Sequence, residues 1–155
     1  MKVLLITLVL MVPVFAVADQ GETMLSLNPM YLSDSGDSGT GMGVACLYGV
    51  NDFVRLGGDV QWDYVFGRGN QDVGLRFDVD LLIDAFEWVP YFRIGAGTLF
   101  PPKKMSVYPL LSAGIGLDWR PWPDYSIGVF GGIELTGTKL NIIRDTGQIV
   151  LSFYF

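Results

Sequence analysis

Polar and apolar residues alternate in two-residue steps along most of the chain. Between Val54 and Phe66 every second position is apolar or small: Val54, Leu56, Gly58, Val60, Trp62, Tyr64 and Phe66. The positions between them are Arg55, Gly57, Asp59, Gln61, Asp63 and Val65. The next run repeats the pattern, with Val73, Leu75, Phe77, Val79, Leu81 and Ile83 set against Gly74, Arg76, Asp78, Asp80 and Leu82. Successive side chains of a strand point to opposite faces, so each run predicts a strand with one apolar and one polar face. A helix here would put Asp59 and Asp63 on one side with Val60 and bury nothing coherent.

Six further segments fit the same period: 22–32, 40–50, 90–100, 108–119, 125–135 and 146–155. Each has 10 to 12 residues. Globular strands are typically about 5–6 residues long, whereas a tilted strand crossing a bilayer needs roughly 9–11. Clusters of turn residues separate them, at 33–39, 51–53, 67–71, 84–89, 101–107, 120–124 and 136–145. Eight strands joined by seven short connections predict an all-β, up-and-down antiparallel meander that closes as a barrel.

Residues 1–18 follow a different pattern. Lys2 precedes a 16-residue apolar run, broken only by Thr7, that ends in Ala16-Val17-Ala18. This predicts a cleavable signal peptide, with residues 19–155 as the exported barrel domain. The run is shorter than the roughly 20 residues of a spanning helix, and Pro13 interrupts it.

Periodicity alone does not say which face is wet. A secreted calyx of the lipocalin type buries its apolar face, whereas a membrane barrel turns that face to lipid and keeps a polar interior. Composition favours the membrane barrel. The segment 19–155 has three lysines, Lys103, Lys104 and Lys139, all in connections. A water-exposed strand face normally carries lysine and glutamate. The polar face here instead carries Arg55, Arg76, Arg93, Asp59, Asp63, Asp78, Asp80 and Asp118 among glycines, as a crowded, internally paired lumen does.

With Gln61 and Glu134 these residues form the expected inward set. Arg76 is expected opposite or diagonal to Asp63 across the β-hairpin, within reach for an ion pair. The set holds three arginines against six acids, so some acids should sit at wet rims or be protonated, with Asp118 and Glu134 placed at the rims. Aromatic residues collect where strands meet turns. Phe53, Trp88, Trp119, Trp122 and Tyr125 lie near one set of ends, and Trp62, Tyr64, Phe66, Phe100 and Tyr108 near the other. Rings of this kind favour the headgroup level and predict two girdles.

The last strand alternates to the final residue, with Ile149, Leu151, Phe153 and Phe155 on one face. A terminal aromatic preceded by alternating hydrophobics resembles the C-terminal assembly signal of bacterial outer-membrane barrels. With the signal peptide and the eight strands, the chain resembles the small eight-stranded barrels of the OmpA/OmpX type. The resemblance implies residence in the outer membrane and both termini in the periplasm. It also implies insertion by the barrel-assembly machinery and outer-membrane lipid as surroundings. Connections 33–39, 67–71, 101–107 and 136–145 would face the cell exterior. They are short for adhesive or receptor loops.

Several classes of chemistry are excluded. The chain contains no histidine, which removes Ser-His and Cys-His nucleophile pairs, histidine bases and imidazole metal ligands. Gly36-Asp37-Ser38-Gly39 matches the nucleophile motif of trypsin-like proteases, but without a base it reads as a polar loop. Asp34 and Asp37 belong to the same solvated segment, with too few oxygen ligands for a calcium site. Asp78 and Asp80, two residues apart, could do acid–base work; charge neutralisation of the lumen arginines is the reading preferred here. Lone Cys46 allows no intramolecular disulfide and is placed facing lipid or packed. A net charge of −6 argues against nucleic acid as a partner. No cofactor, metal or catalytic residue is indicated.

The expected function is a non-enzymatic outer-membrane barrel with a structural or cell-surface interaction role and a side-chain-filled lumen. A narrow small-solute channel and a secreted lipocalin-like carrier of a hydrophobic ligand remain the alternatives.

Overall fold

The computed structural model describes residues 21–34, 36–67, 69–83, 87–101 and 106–155. The expected signal peptide, Lys103 and Lys104 lie outside these residues. Eight strands follow one another: β1 (Thr23–Asp34), β2 (Asp37–Asn51), β3 (Val54–Val65), β4 (Asn70–Leu82), β5 (Trp88–Phe100), β6 (Tyr108–Trp122), β7 (Tyr125–Thr136) and β8 (Ile142–Tyr154). Each pairs antiparallel with its sequence neighbours, and β1 pairs with β8, so the sheet is a closed barrel. Closure satisfies both sheet edges.

The alternation decides which way the barrel is turned. Along β3, Arg55, Asp59, Gln61 and Asp63 are buried while Val60 and Trp62 are exposed. Leu25, Leu27, Val44, Leu75, Phe77, Ile115, Val129 and Ile149 also lie on the outer surface. A polar interior and an apolar exterior invert the arrangement of a water-soluble calyx. The outer band therefore needs a hydrocarbon solvent, and the carrier reading is set aside.

All strands but β3 are longer than the sequence pattern suggested, and the connections are correspondingly shorter, most of all the two expected at 33–39 and 136–145. The segment 33–39 is mostly ladder, since Ser33 pairs with Ser38 and Asp34 with Asp37. Gly36, with φ of 95°, sits in the tight turn between them. The protease-like motif is thus the start of β2, where the Ser38 hydroxyl meets Tyr31 Oη at 3.0 Å. At the other long connection β8 begins at Ile142, so Arg144 lies in the wall and not in a loop. Cross-strand pairing outweighs turn propensity at both places because it saves exposed backbone groups at the barrel rim.

Candidate functional site

The lumen is the only charged environment that the described strands build together. Twelve charged side chains are buried in it: Arg55, Arg76, Arg93 and Arg144, with Asp34, Asp59, Asp63, Asp72, Asp78, Asp80, Asp118 and Glu134. Each lies on the inward phase of its strand, and together they cross the interior in layers centred on arginine.

Arg76 of β4 is the most highly connected. Its Nε lies 2.7 Å from Asp78, its Nη1 donates to Glu134 Oε1 at 2.9 Å, and its Nη2 is 3.7 Å from Asp59. β4 and β7 are not neighbours, so the bond to Glu134 spans the lumen. Arg93 holds Asp80 with two hydrogen bonds, Nε to Oδ1 at 2.6 Å and Nη2 to Oδ2 at 2.8 Å. Its guanidinium also lies 5.3 Å from the Tyr91 ring centre and 5.4 Å from that of Phe130, and these two rings stack at 6.1 Å. The rings have room because β6 carries glycine beneath them. An ideal Cβ on Gly116 would fall 2.1 Å from Tyr91 and one on Gly114 2.4 Å from Phe130.

Arginines also strap both ends. Towards the loop end, Arg144 of β8 reaches Asp72 at 2.6 Å, Asp63 at 3.5 Å and Asp34 at 3.6 Å, which lie on β4, β3 and β1. At the end where β1 begins and β8 ends, Arg120 bonds Glu22 with both terminal nitrogens and donates to the Pro123 carbonyl at 2.7 Å. Tyr154 lies between two guanidinium groups, with Arg120 3.9 Å and Arg55 5.3 Å from its ring centre. Arg55 is also 4.0 Å from Asp118.

Three sequence expectations are corrected. Arg76 stands opposite Asp59 in the β3–β4 register, and Asp63 stands opposite Asp72. The tight turn at 66–69 sets a register that keeps Arg76 and Asp63 apart, and Asp63 meets Arg144 instead. Nor are Asp118 and Glu134 rim residues: they are 2% and 1% exposed. The opposing wall covers them, which position along a strand cannot reveal. Asp34, read as part of a solvated loop, is likewise buried.

Sequence reasoning missed Arg144, Asp72 and the Glu22–Arg120 strap. A signal for two of them existed. Stepping back in twos from Gln148 through Thr146 lands on Arg144, and from Gly74 on Asp72.

Of the expected girdle residues, Trp62, Tyr64, Phe66, Trp88, Trp119, Trp122 and Tyr125 lie on the outer face near strand ends, and Phe53 and Phe100 are half-buried; Tyr108 is a correction, because it shares the inward phase of β6 with Leu110 and Asp118 and stands opposite buried Leu99. Trp88, Trp119, Trp122 and Tyr125 form a continuous belt at the terminal end, with successive ring centres 6.0, 6.4 and 4.7 Å apart. Trp62, Tyr64 and Phe66 point outward at the other end, and Tyr64 meets Phe66 edge-on at 5.6 Å. Ile149, Leu151 and Phe153 of β8 and the following Phe155 are exposed on the outer side, and Cys46 is exposed on the outer face of β2. Chemically, the lumen holds its carboxylates against guanidinium groups. Asp78 and Asp80, the candidate acid–base pair, are both engaged in this way.

No family model matches the chain, and no curated protein matches it. Solved structures do. Neisserial surface protein A superposes with a TM-score of 0.64 at 13% identity, covering 86% of this chain and 94% of that one. The outer membrane protein OprG from Pseudomonas aeruginosa gives a TM-score of 0.59 at 11% identity, covering 91% and 99%. Ail, the attachment invasion locus protein of Yersinia pestis, in complex with the heparin analogue sucrose octasulfate, gives 0.54 at 16% identity, covering 88% and 99%. The fold is that of the small eight-stranded outer-membrane barrels. At these identities the likeness concerns the fold alone.

Proposed function

We propose that this protein is a non-enzymatic, integral outer-membrane barrel with a structural or cell-surface interaction role and a lumen closed by its own side chains. The observation that carries the reading is the set of arginine-centred layers crossing the interior, from Arg144 through Arg76 and Arg93 to Arg120. An eight-stranded barrel encloses little more than the volume of its inward side chains, and here those side chains bond across it. One neighbour of the same fold, Ail, is described with a heparin analogue bound, which supports a surface role for such a barrel.

Two measurements test this. Fractionation should recover the mature chain in outer membranes and release it only with detergent; soluble periplasmic recovery would overturn membrane residence. In planar bilayers the purified barrel should show no steady conductance. Stable, reproducible openings at low voltage would make a small-solute conduit the leading function.

A further inference from the structure

The outer faces of the eight strands carry one charged side chain. Asp145 is exposed on β8, on the outward phase that it shares with Ile143, Gly147 and Ile149. Every other charged residue of the strands falls on the inward phase, including the adjacent Arg144, which reaches Asp34, Asp63 and Asp72 across the lumen. Asp145 stands opposite Ile133 on β7 and Ser33 on β1, and Ile143 lies one outward step nearer the loop end. Ile133 and Ile143 are 47% and 58% exposed, so the carboxylate is set within the apolar band and not beyond it. Among the described residues no guanidinium or ammonium group pairs with it. A charge on the lipid face is costly and rare, so an outward ionisable residue points to a partner that neutralises it.

An open groove of about 430 Å³ adjoins this residue, beside the closing seam between β1 and β8, with Pro29, Tyr31, Gly147 and Ile149 in its lining. Asp145 and Gly147 are consecutive outward residues of β8, about 7 Å apart at the rise of a strand. The carboxylate therefore stands at the loop end of the groove, on the same face. The floor is shallow because Gly147 pairs with Gly131 on β7, and a Cβ added at either glycine would meet nothing within 4 Å. Further from the loop end the wall continues with exposed Val129 and Ile149.

We propose that Asp145 and this groove form a lateral site for a membrane lipid whose headgroup ends in a primary ammonium. The ammonium donates to the Asp145 carboxylate, and one acyl chain lies over Gly131 and Gly147. Charge complementarity selects the headgroup, because a charge-assisted hydrogen bond gains most where water is scarce. Depth selects a lipid over a soluble cation: an amphiphile carries its own charge to a carboxylate flanked by isoleucines. The order of the parts agrees. From the loop end towards the middle of the barrel come the carboxylate and then the apolar groove, as a lipid presents first its headgroup and then its chain.

The proposal rests on residence in the membrane, and the two fail differently. A protein recovered soluble without detergent overturns that residence before this test begins. The site is tested on the folded, full barrel in phosphatidylcholine nanodiscs, with phosphatidylethanolamine added stepwise. The choline nitrogen carries no N–H, so the two headgroups differ in the group that matters. The readout is the backbone amide NMR signals of Asp145 and Gly147. Phosphatidylethanolamine should shift both signals saturably. Asp145→Asn, which removes the charge at nearly unchanged shape, should weaken the response tenfold or more. Gly147→Leu, which places a side chain in open space, should do the same, and unchanged signals from β3 to β5 verify the fold of both variants. An absent response, or an undiminished one in Asp145→Asn, would overturn the proposal. So would an equal shift on adding magnesium to phosphatidylcholine discs alone, which would assign the carboxylate to a soluble cation. A response that follows the number of barrels per disc and not the lipid would assign the surface to a second copy and overturn it as well.

Discussion

Replacing Arg76 with alanine should cost the barrel about 3–5 kcal/mol, the range for a buried ion pair that loses one partner. The guanidinium is 2.7 Å from Asp78, 2.9 Å from Glu134 and 3.7 Å from Asp59. The side chains of these three acids are 0%, 1% and 0% exposed. In the wild type this layer sets one guanidinium against three carboxyl groups; after the substitution the carboxyl groups keep no cationic partner in the layer, with no bulk water to replace it. The loss should therefore lie towards the upper end of the range. The four tryptophans all sit on the outer surface, so their fluorescence reports transfer between lipid and water. Equilibrium unfolding by urea in vesicles, followed by that fluorescence, measures the difference. In the Arg76→Ala background, Glu134→Gln removes one of the stranded carboxyl groups and should recover about 1 kcal/mol or more. A loss below about 1 kcal/mol for Arg76→Ala, with no recovery in the double variant, would falsify the claim that these groups form one desolvated layer.

Other perturbations give contrasting outcomes. Arg120→Ala should cost less than Arg76→Ala in the same assay, because its pair with Glu22 is 15% and 14% exposed and lies nearer water than the acids around Arg76, which are 0–1% exposed. Gly116→Ala should cost about 1–3 kcal/mol through overpacking, since its Cβ falls 2.1 Å from the Tyr91 ring. Gly131→Ala, which has open space, serves as the neutral control, and equal midpoints for the two variants would refute the packing argument. Deleting Phe155 removes the reciprocal hydrogen bonds with Thr23, at 2.9 and 3.1 Å, that close the end of the seam. It should lower the fraction with heat-modifiable gel mobility; an unchanged fraction would show that this last rung and its aromatic side chain are dispensable for assembly.

The number of strands, their order and the inside-out orientation were legible in the sequence. A period of two is a local property, and side-chain chemistry sorts the two faces without reference to any neighbour. The inward positions of Arg55, Asp59 and Asp80 follow from that sorting. What the sequence did not contain in readable form was register and closure. Asp59, and not Asp63, faces Arg76 because the 66–69 turn sets how β3 and β4 align, and a shift of a few residues in turn length changes every partner. Arg144 looked like part of a loop because turn residues surround it, yet pairing of β7 with β8 extends the wall to include it. Glu134 looked like a rim residue because it lies near a strand end; only the opposite wall, with Arg76 reaching across, makes it interior. The Glu22–Arg120 strap joins residues 98 apart in sequence. Such contacts span a closed cylinder, and alternation along one strand carries no information about which side chain waits on the other side of it.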